Sequence, residues 1–135
     1  MKNKFSLSFL VFSVVIGVDQ LTKWWARGQG GVVLNEGVSF GLGQHQSVWV
    51  FVVLTGLVLL SLFLLFKEIW QKNMVMFGVL SGAAMSNVLD RLIWGGVQDF
   101  LPIPILRLQN NIADWVIFAC LVWLGWRLLL RKPRI

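Results

Sequence analysis

The chain has one cysteine, Cys120, and one histidine, His45. A single thiol cannot close an internal disulfide, and one Cys with one His is too little for a metal cluster. No metal site is expected, and Cys120, inside an apolar run, reads as a buried structural thiol. Charge is also scarce, at 13% of residues, and acid is scarcest, with six carboxylates against twelve Lys and Arg. A chain of 135 residues with so few charges does not suit a soluble domain. Net charge is +6, which in a soluble protein would suggest nucleic acid. Here the basic residues stand mostly in short connections and near the ends, so membrane orientation explains them and no nucleic-acid partner is expected.

What is abundant is apolar. Hydrophobic residues make up 57% of the chain and mean hydropathy is +0.75. A spanning helix needs about 20 mostly apolar residues. Four stretches qualify: about 5–25, 47–66, 73–94 and 111–130. The expected fold is therefore an all-α membrane protein, one domain over 1–135, with four transmembrane helices. Between the first two spans, residues 26–46 form a small extracytoplasmic element. The first span follows Lys2 and Lys4 and could pass for a signal peptide. No Ala-x-Ala-type cleavage site follows it, so it reads as a retained anchor.

Orientation follows from Lys and Arg placement. Lys2, Lys4, Lys67, Lys72, Arg127, Arg131, Lys132 and Arg134 fall on one side, which makes both termini cytoplasmic. Trp24, Trp25, Trp49, Trp94 and Trp115 gather near the opposite boundary, where indole rings prefer to sit. Gly78 and Gly82, four apart on the third span, predict close helix approach.

Five of the six carboxylates fall at the outer end of this layout: Asp19, Glu36, Asp90, Asp99 and Asp114. Asn87, Asp90 and Arg91 share one helical face, as do Asp19, Thr22 and Lys23, and as do Asn111 and Asp114. Ionisable groups at membrane depth face the bundle interior and mark functional sites by default. Paired carboxylates share a proton and can act as general base and general acid. The competing structural account is a buried ion-pair cluster in which Lys23 and Arg91 neutralise the acids. Asp90 and Arg91, adjacent in sequence, cannot face each other squarely, so Arg91 is expected to pair with an acid on another helix. A further account is a small proton-coupled transporter that relays protons through the same acids. Against it, the acids cluster at one face and do not line a path.

Gly37-Val38-Ser39-Phe40-Gly41, with His45 after it, matches the G-x-S-x-G pattern of serine hydrolases. That elbow needs a strand–turn–helix on a soluble sheet, which is not readable here, so Ser39 and His45 are expected to be bystanders.

At these polar residues the chain resembles the lipoprotein signal peptidases (signal peptidase II). Asp19-Gln20-Leu21-Thr22-Lys23 is similar to that family's D-x-x-T-K, and Asn35-Glu36-Gly37-Val38-Ser39-Phe40 to its N-x-G-x-[AS]-F. Asn87-Val88-Leu89-Asp90-Arg91 and Val97-Gln98-Asp99-Phe100 resemble its N-x-x-D-R and V-x-D-F, and Asn111-Ile112-Ala113-Asp114 its N-x-A-D. Each motif is weak alone, but all stand in order on one four-span layout. Two positions depart from the pattern: Ser86 stands where Gly is common, and Asn110 where Phe is usual.

The resemblance implies that Asp99 and Asp114 are the catalytic dyad of an aspartic endopeptidase. It implies that Asp19, Lys23, Asn35, Gly37, Asn87, Asp90, Arg91, Asn111 and Ala113 bind substrate or support the site. It implies cleavage of diacylglyceryl-modified prolipoproteins just before the lipidated cysteine, near the outer face of the bacterial cytoplasmic (inner) membrane, without a metal or organic cofactor. The expected partners are that substrate and membrane lipids, and the expected form is a monomer.

Overall fold

The structure is a computed structural model that describes residues 2–37, 46–103, 105 and 108–130. Ser39, His45 and the basic residues at 131, 132 and 134 lie outside those residues. Helices cover each apolar stretch: α1 (Lys2–Gly28), α2 (Val48–Leu65), α4 (Met74–Trp94) and α5 (Ile112–Leu129). A short α3 (Lys67–Lys72) joins α2 to α4. Four three-residue strands complete the described chain: β1 (Val33–Asn35), β2 (Val97–Asp99), β3 (Leu101–Ile103) and β4 (Leu108–Asn110).

Among the described residues α1, α2 and α5 are long and apolar enough to cross a membrane. Large apolar side chains stand exposed along them, including Phe5, Phe9, Leu10, Leu54, Leu57, Phe118 and Val122. A water-soluble monomer does not leave such a surface bare. Helix α4 carries more polar side chains and packs against α1, α2 and α5. Its buried residues include Ser86, Asn87 and Asp90 as well as Leu80, Ala83 and Ala84. The central position explains the composition: a helix covered by its neighbours need not be apolar all round.

Close approach at this centre depends on glycine. A Cβ on Gly82 would lie 2.7 Å from the Phe12 carbonyl oxygen, and one on Gly78 would lie 2.5 Å from that of Ser8. Both obstacles are backbone of α1. Ser8 Oγ donates to the Met74 carbonyl at 2.8 Å and ties the two helices at one end. Near that end lies an apolar core of Trp70, Leu80, Cys120 and Leu124. The Trp70 indole donates to the Leu62 carbonyl at 2.9 Å, which satisfies its one buried polar atom. Cys120 is free and buried there.

The strands stand at the other end. β1 pairs antiparallel with β2, Val33 opposite Asp99 and Asn35 opposite Val97. β3 pairs antiparallel with β4, Leu101 opposite Asn110. The all-α expectation thus omits two small ribbons. Three-residue strands are too short to show a two-residue period, and β1 and β2 meet across the whole of α2, α3 and α4. Gly95, at φ 80°, ends α4 in the left-handed region and turns the chain into β2.

Candidate active site

Five elements converge where the ribbons meet the helices. Lys23 on α1 is completely buried. Its Nζ lies 2.6 Å from Asp19 Oδ2 and 2.7 Å from Asp90 Oδ2, and it donates to Asn87 Oδ1 at 3.0 Å. An ammonium has three donors, and all are engaged. The two carboxylates it joins are equally buried, and further donors complete their shells. Asp19 accepts from Ser86 Oγ at 2.7 Å and from the Ala113 backbone N–H at 2.8 Å. Asp90 accepts from Gln20 Nε2 at 2.8 Å, from the Gln98 backbone N–H at 3.0 Å and from Gln98 Nε2 at 3.1 Å. This cluster binds α1, α4, β2 and α5 together.

Above it, three asparagines share one device. Each has its side-chain oxygen held by a donor, which leaves its amide NH₂ aimed at a carboxylate. Asn87 Oδ1 is held by Lys23, and Asn87 Nδ2 donates to Asp114 Oδ1 at 2.8 Å. Asn111 Oδ1 accepts the Asp114 backbone N–H at 3.0 Å as the N-cap of α5, and Asn111 Nδ2 donates to Asp99 Oδ1 at 2.7 Å. Asn35 Oδ1 accepts the Gly37 backbone N–H at 3.1 Å, and Asn35 Nδ2 donates to Asp99 Oδ2 at 3.0 Å. Asn111 therefore touches both acids, one through each end of its amide.

Asp99 stands on β2, outside the helices, and burial pushes its carboxyl up from 3.8 to about 6. The Asp114 carboxylate pushes the same way, while the amides of Asn35 and Asn111 pull it down. Burial prevails because amide donors return only part of the solvation that water supplied.

The ion-pair expectation holds for Lys23 and fails for Arg91. Among the described residues Arg91 makes no ion pair. Its Nη2 donates to the Gly37 carbonyl at 3.0 Å and its Nη1 to the Asn87 carbonyl at 3.4 Å. Its guanidinium carbon lies 5.1 Å from the Phe51 ring centroid. Two backbone carbonyls and the Phe51 face take up its fork instead. Gly37 enters the site through its carbonyl and N–H, and Ala113 through its N–H alone. Glu36 is exposed and stands outside the network.

Gln20, Ser86 and Gln98 belong to the cluster, although the sequence motifs assign none of them a role at the site. The signal was available: Ser86 precedes Asp90 by one helical turn, and the two glutamines neighbour Asp19 and Asp99. Ser86, unusual beside the resembled pattern, also accepts from Gln20 Nε2 at 2.9 Å.

An apolar cleft of about 490 Å³ opens between α2, α4 and α5. Leu54, Val58, Leu62, Leu80 and Ile117 line it, and Arg91 stands at its polar end.

The sequence model of the family described as Signal peptidase (SPase) II matches residues 11–130. A lipoprotein signal peptidase of Pelotomaculum thermopropionicum is 30% identical over 90% of this chain and 90% of its own. One of Helicobacter pylori is 34% identical over 68% of this chain and 66% of its own. Two solved bacterial membrane enzymes, both obtained by the in meso method, share the fold. The first has a TM-score of 0.76 at 22% identity, over 95% of this chain and 93% of its own. The second has a TM-score of 0.75 at 24% identity, over 93% of this chain and 94% of its own.

Proposed function

The chain belongs to the signal peptidase II family, and from that premise we propose how its buried acids perform the reaction. As a member, it is a bacterial multi-pass membrane protein and an aspartic endopeptidase that removes signal peptides from prolipoproteins. Asp99 and Asp114 are its catalytic dyad. The observation that carries this assignment is Asn111, which donates to one acid and caps the helix of the other. Asn35 and Asn87 hold the remaining faces. Asp19, Lys23 and Asp90 are the frame beneath.

The pair holds one proton. The ionised member takes a proton from water as the oxygen attacks the scissile carbonyl carbon. The protonated member gives its proton to the carbonyl oxygen, forming a gem-diol. As that intermediate collapses, the C–N bond breaks, the leaving nitrogen takes the proton the pair holds, and one gem-diol hydroxyl returns its proton to the pair as the carbonyl re-forms. The products are a carboxyl terminus and a free amine, and the dyad again holds one proton.

The substrate is a diacylglyceryl-modified prolipoprotein, cut just before the lipidated cysteine. It enters laterally from the bilayer, because each methylene drawn into water costs about 0.8 kcal/mol. The apolar cleft beside Arg91 suits an apolar segment of this substrate. The four long helices span the membrane as a single domain and work as a monomer. The acid end faces outward, residues 26–46 form the small extracytoplasmic element, and both termini lie inside.

The decisive experiment is incubation of purified Asp99→Asn and Asp114→Asn with a lipidated prolipoprotein. Each variant should insert and fold normally and release no signal peptide. Near-normal release by either folded variant would refute the assignment.

A further inference from the structure

The last turn of α1 carries a cation that the peptidase chemistry leaves unused. Arg27 Nη1 is buried and has no hydrogen-bond partner among the described residues. Arg27 makes no ion pair among them either, whereas Lys23 pairs with Asp19 and Asp90. The guanidinium lies over the Trp94 ring, 4.5 Å from its centroid. Stacking orients the fork but cannot satisfy its in-plane N–H donors.

Two clefts meet at this side chain. One, of about 330 Å³, opens between Arg27, Trp94 and Leu34. The other, of about 410 Å³, opens between Arg27, Trp24 and Trp25. Both are large enough for a phosphodiester group, whose oxygens match the guanidinium fork in geometry and charge.

Depth identifies the source of that phosphate. At about 1.5 Å per residue, the 27 residues of α1 extend to about 40 Å, beyond a hydrocarbon core of roughly 30 Å. Trp24 and Trp25, both more than half exposed, mark the interface, so Arg27 reaches the headgroup layer. Below it Leu10, Gly17 and Trp24 are exposed at spacings of seven, and Arg27 follows Trp24 by three. They line one side of α1 that leads to Arg27.

We propose that Arg27 anchors a bound anionic phospholipid, its phosphodiester in the clefts beside the guanidinium and its acyl chains along the Leu10–Gly17–Trp24 side of α1. One cleft also touches Gln98, next to Asp99 in the chain, but neither Asp99 nor Asp114 lines either cleft, and the proposal requires only that α1 crosses the bilayer, in either direction.

The test is a titration of the purified full-length protein, in mild detergent, with phosphatidylglycerol. Native mass spectrometry counts the lipids retained, and a parallel arm offers inorganic phosphate alone. Wild-type protein should retain one tight lipid. Arg27→Gln should retain it about tenfold more weakly, the loss of roughly one charge-assisted hydrogen bond. Millimolar phosphate should not displace it, because phosphate lacks the acyl chains. Equal retention by Arg27→Gln would overturn the proposal, and so would displacement by free phosphate. If Arg27→Gln does not fold, Arg27→Lys decides: it keeps the charge without the planar fork, and undiminished retention in it would overturn the proposal equally.

Discussion

At the scale of single residues, the site works through the orientation of amides. An asparagine offers an acceptor and a donor end, and a neighbouring donor chooses between them. Lys23, the Gly37 N–H and the Asp114 N–H make that choice for Asn87, Asn35 and Asn111. The NH₂ groups are thereby committed to the acids. The pH dependence follows from Asp99. Its carboxyl holds a proton up to about 6, and the working pair needs one proton. Raising the pH through about 6 removes that proton, so kcat/KM should fall on this limb. Bound substrate excludes more water, which raises the carboxyl further, so the corresponding limb of kcat should lie at higher pH. A kcat/KM profile flat from pH 5 to pH 8 would contradict the shared proton. A second expectation separates the neighbours Asp90 and Arg91. Asp90→Ala leaves Lys23 without one of its two carboxylates and should destabilise by about 3–5 kcal/mol. Arg91→Ala removes no ion pair and should lower the thermal midpoint much less, while it frees the Gly37 carbonyl and lowers activity. Equal midpoint losses would contradict this division. The motif residues were legible in the sequence because helical spacing puts Asn87, Asp90 and Arg91 on one face. The partners of Arg91 were not, because nothing in one helix says which carbonyl or ring of another element comes within reach of its fork.

At the scale of elements, α4 decides the architecture. Its glycines let α1 come within backbone contact, and that approach brings Asp19 and Lys23 to Asn87 and Asp90. Gly82→Ala should therefore be costly, since its Cβ would meet a backbone oxygen that cannot rotate away. We expect a loss of about 1–3 kcal/mol, read as a lower unfolding midpoint in detergent. Gly125→Ala on α5, where a Cβ meets nothing within 4 Å, should be neutral and serves as the control. Similar midpoints for the two variants would show that close packing at Gly82 is unimportant. Gly78 and Gly82 announced this contact in the sequence. The ribbons β1–β2 and β3–β4 did not announce themselves, yet β1 and β2 carry Asn35 and Asp99 into the site. A three-residue strand is stabilised by its partner and not by its own pattern.

At the scale of the whole molecule, one end is an apolar core around Trp70 and the other a polar site. The substrate is expected to arrive from the lipid, so an otherwise identical prolipoprotein without its diacylglyceryl group should be cut far more slowly. Its loss should appear in kcat/KM, measured in bilayer discs, because lipid burial positions the scissile bond. Equal cleavage of both substrates would argue against entry from the bilayer. By itself the sequence determined that the chain is a membrane protein, where its long helices lie, and that most of its acids gather at one end. Those properties follow from length, hydropathy and helical period, which are local. Only the tertiary structure decided that Lys23, and not Arg91, joins the acids of the frame. It also decided that Gln20, Ser86 and Gln98 complete that frame, and that Asn111 links Asp99 to Asp114. Such choices depend on which donors and acceptors compete within about 3 Å, and that competition exists only once α1, α4, α5 and the ribbons have packed.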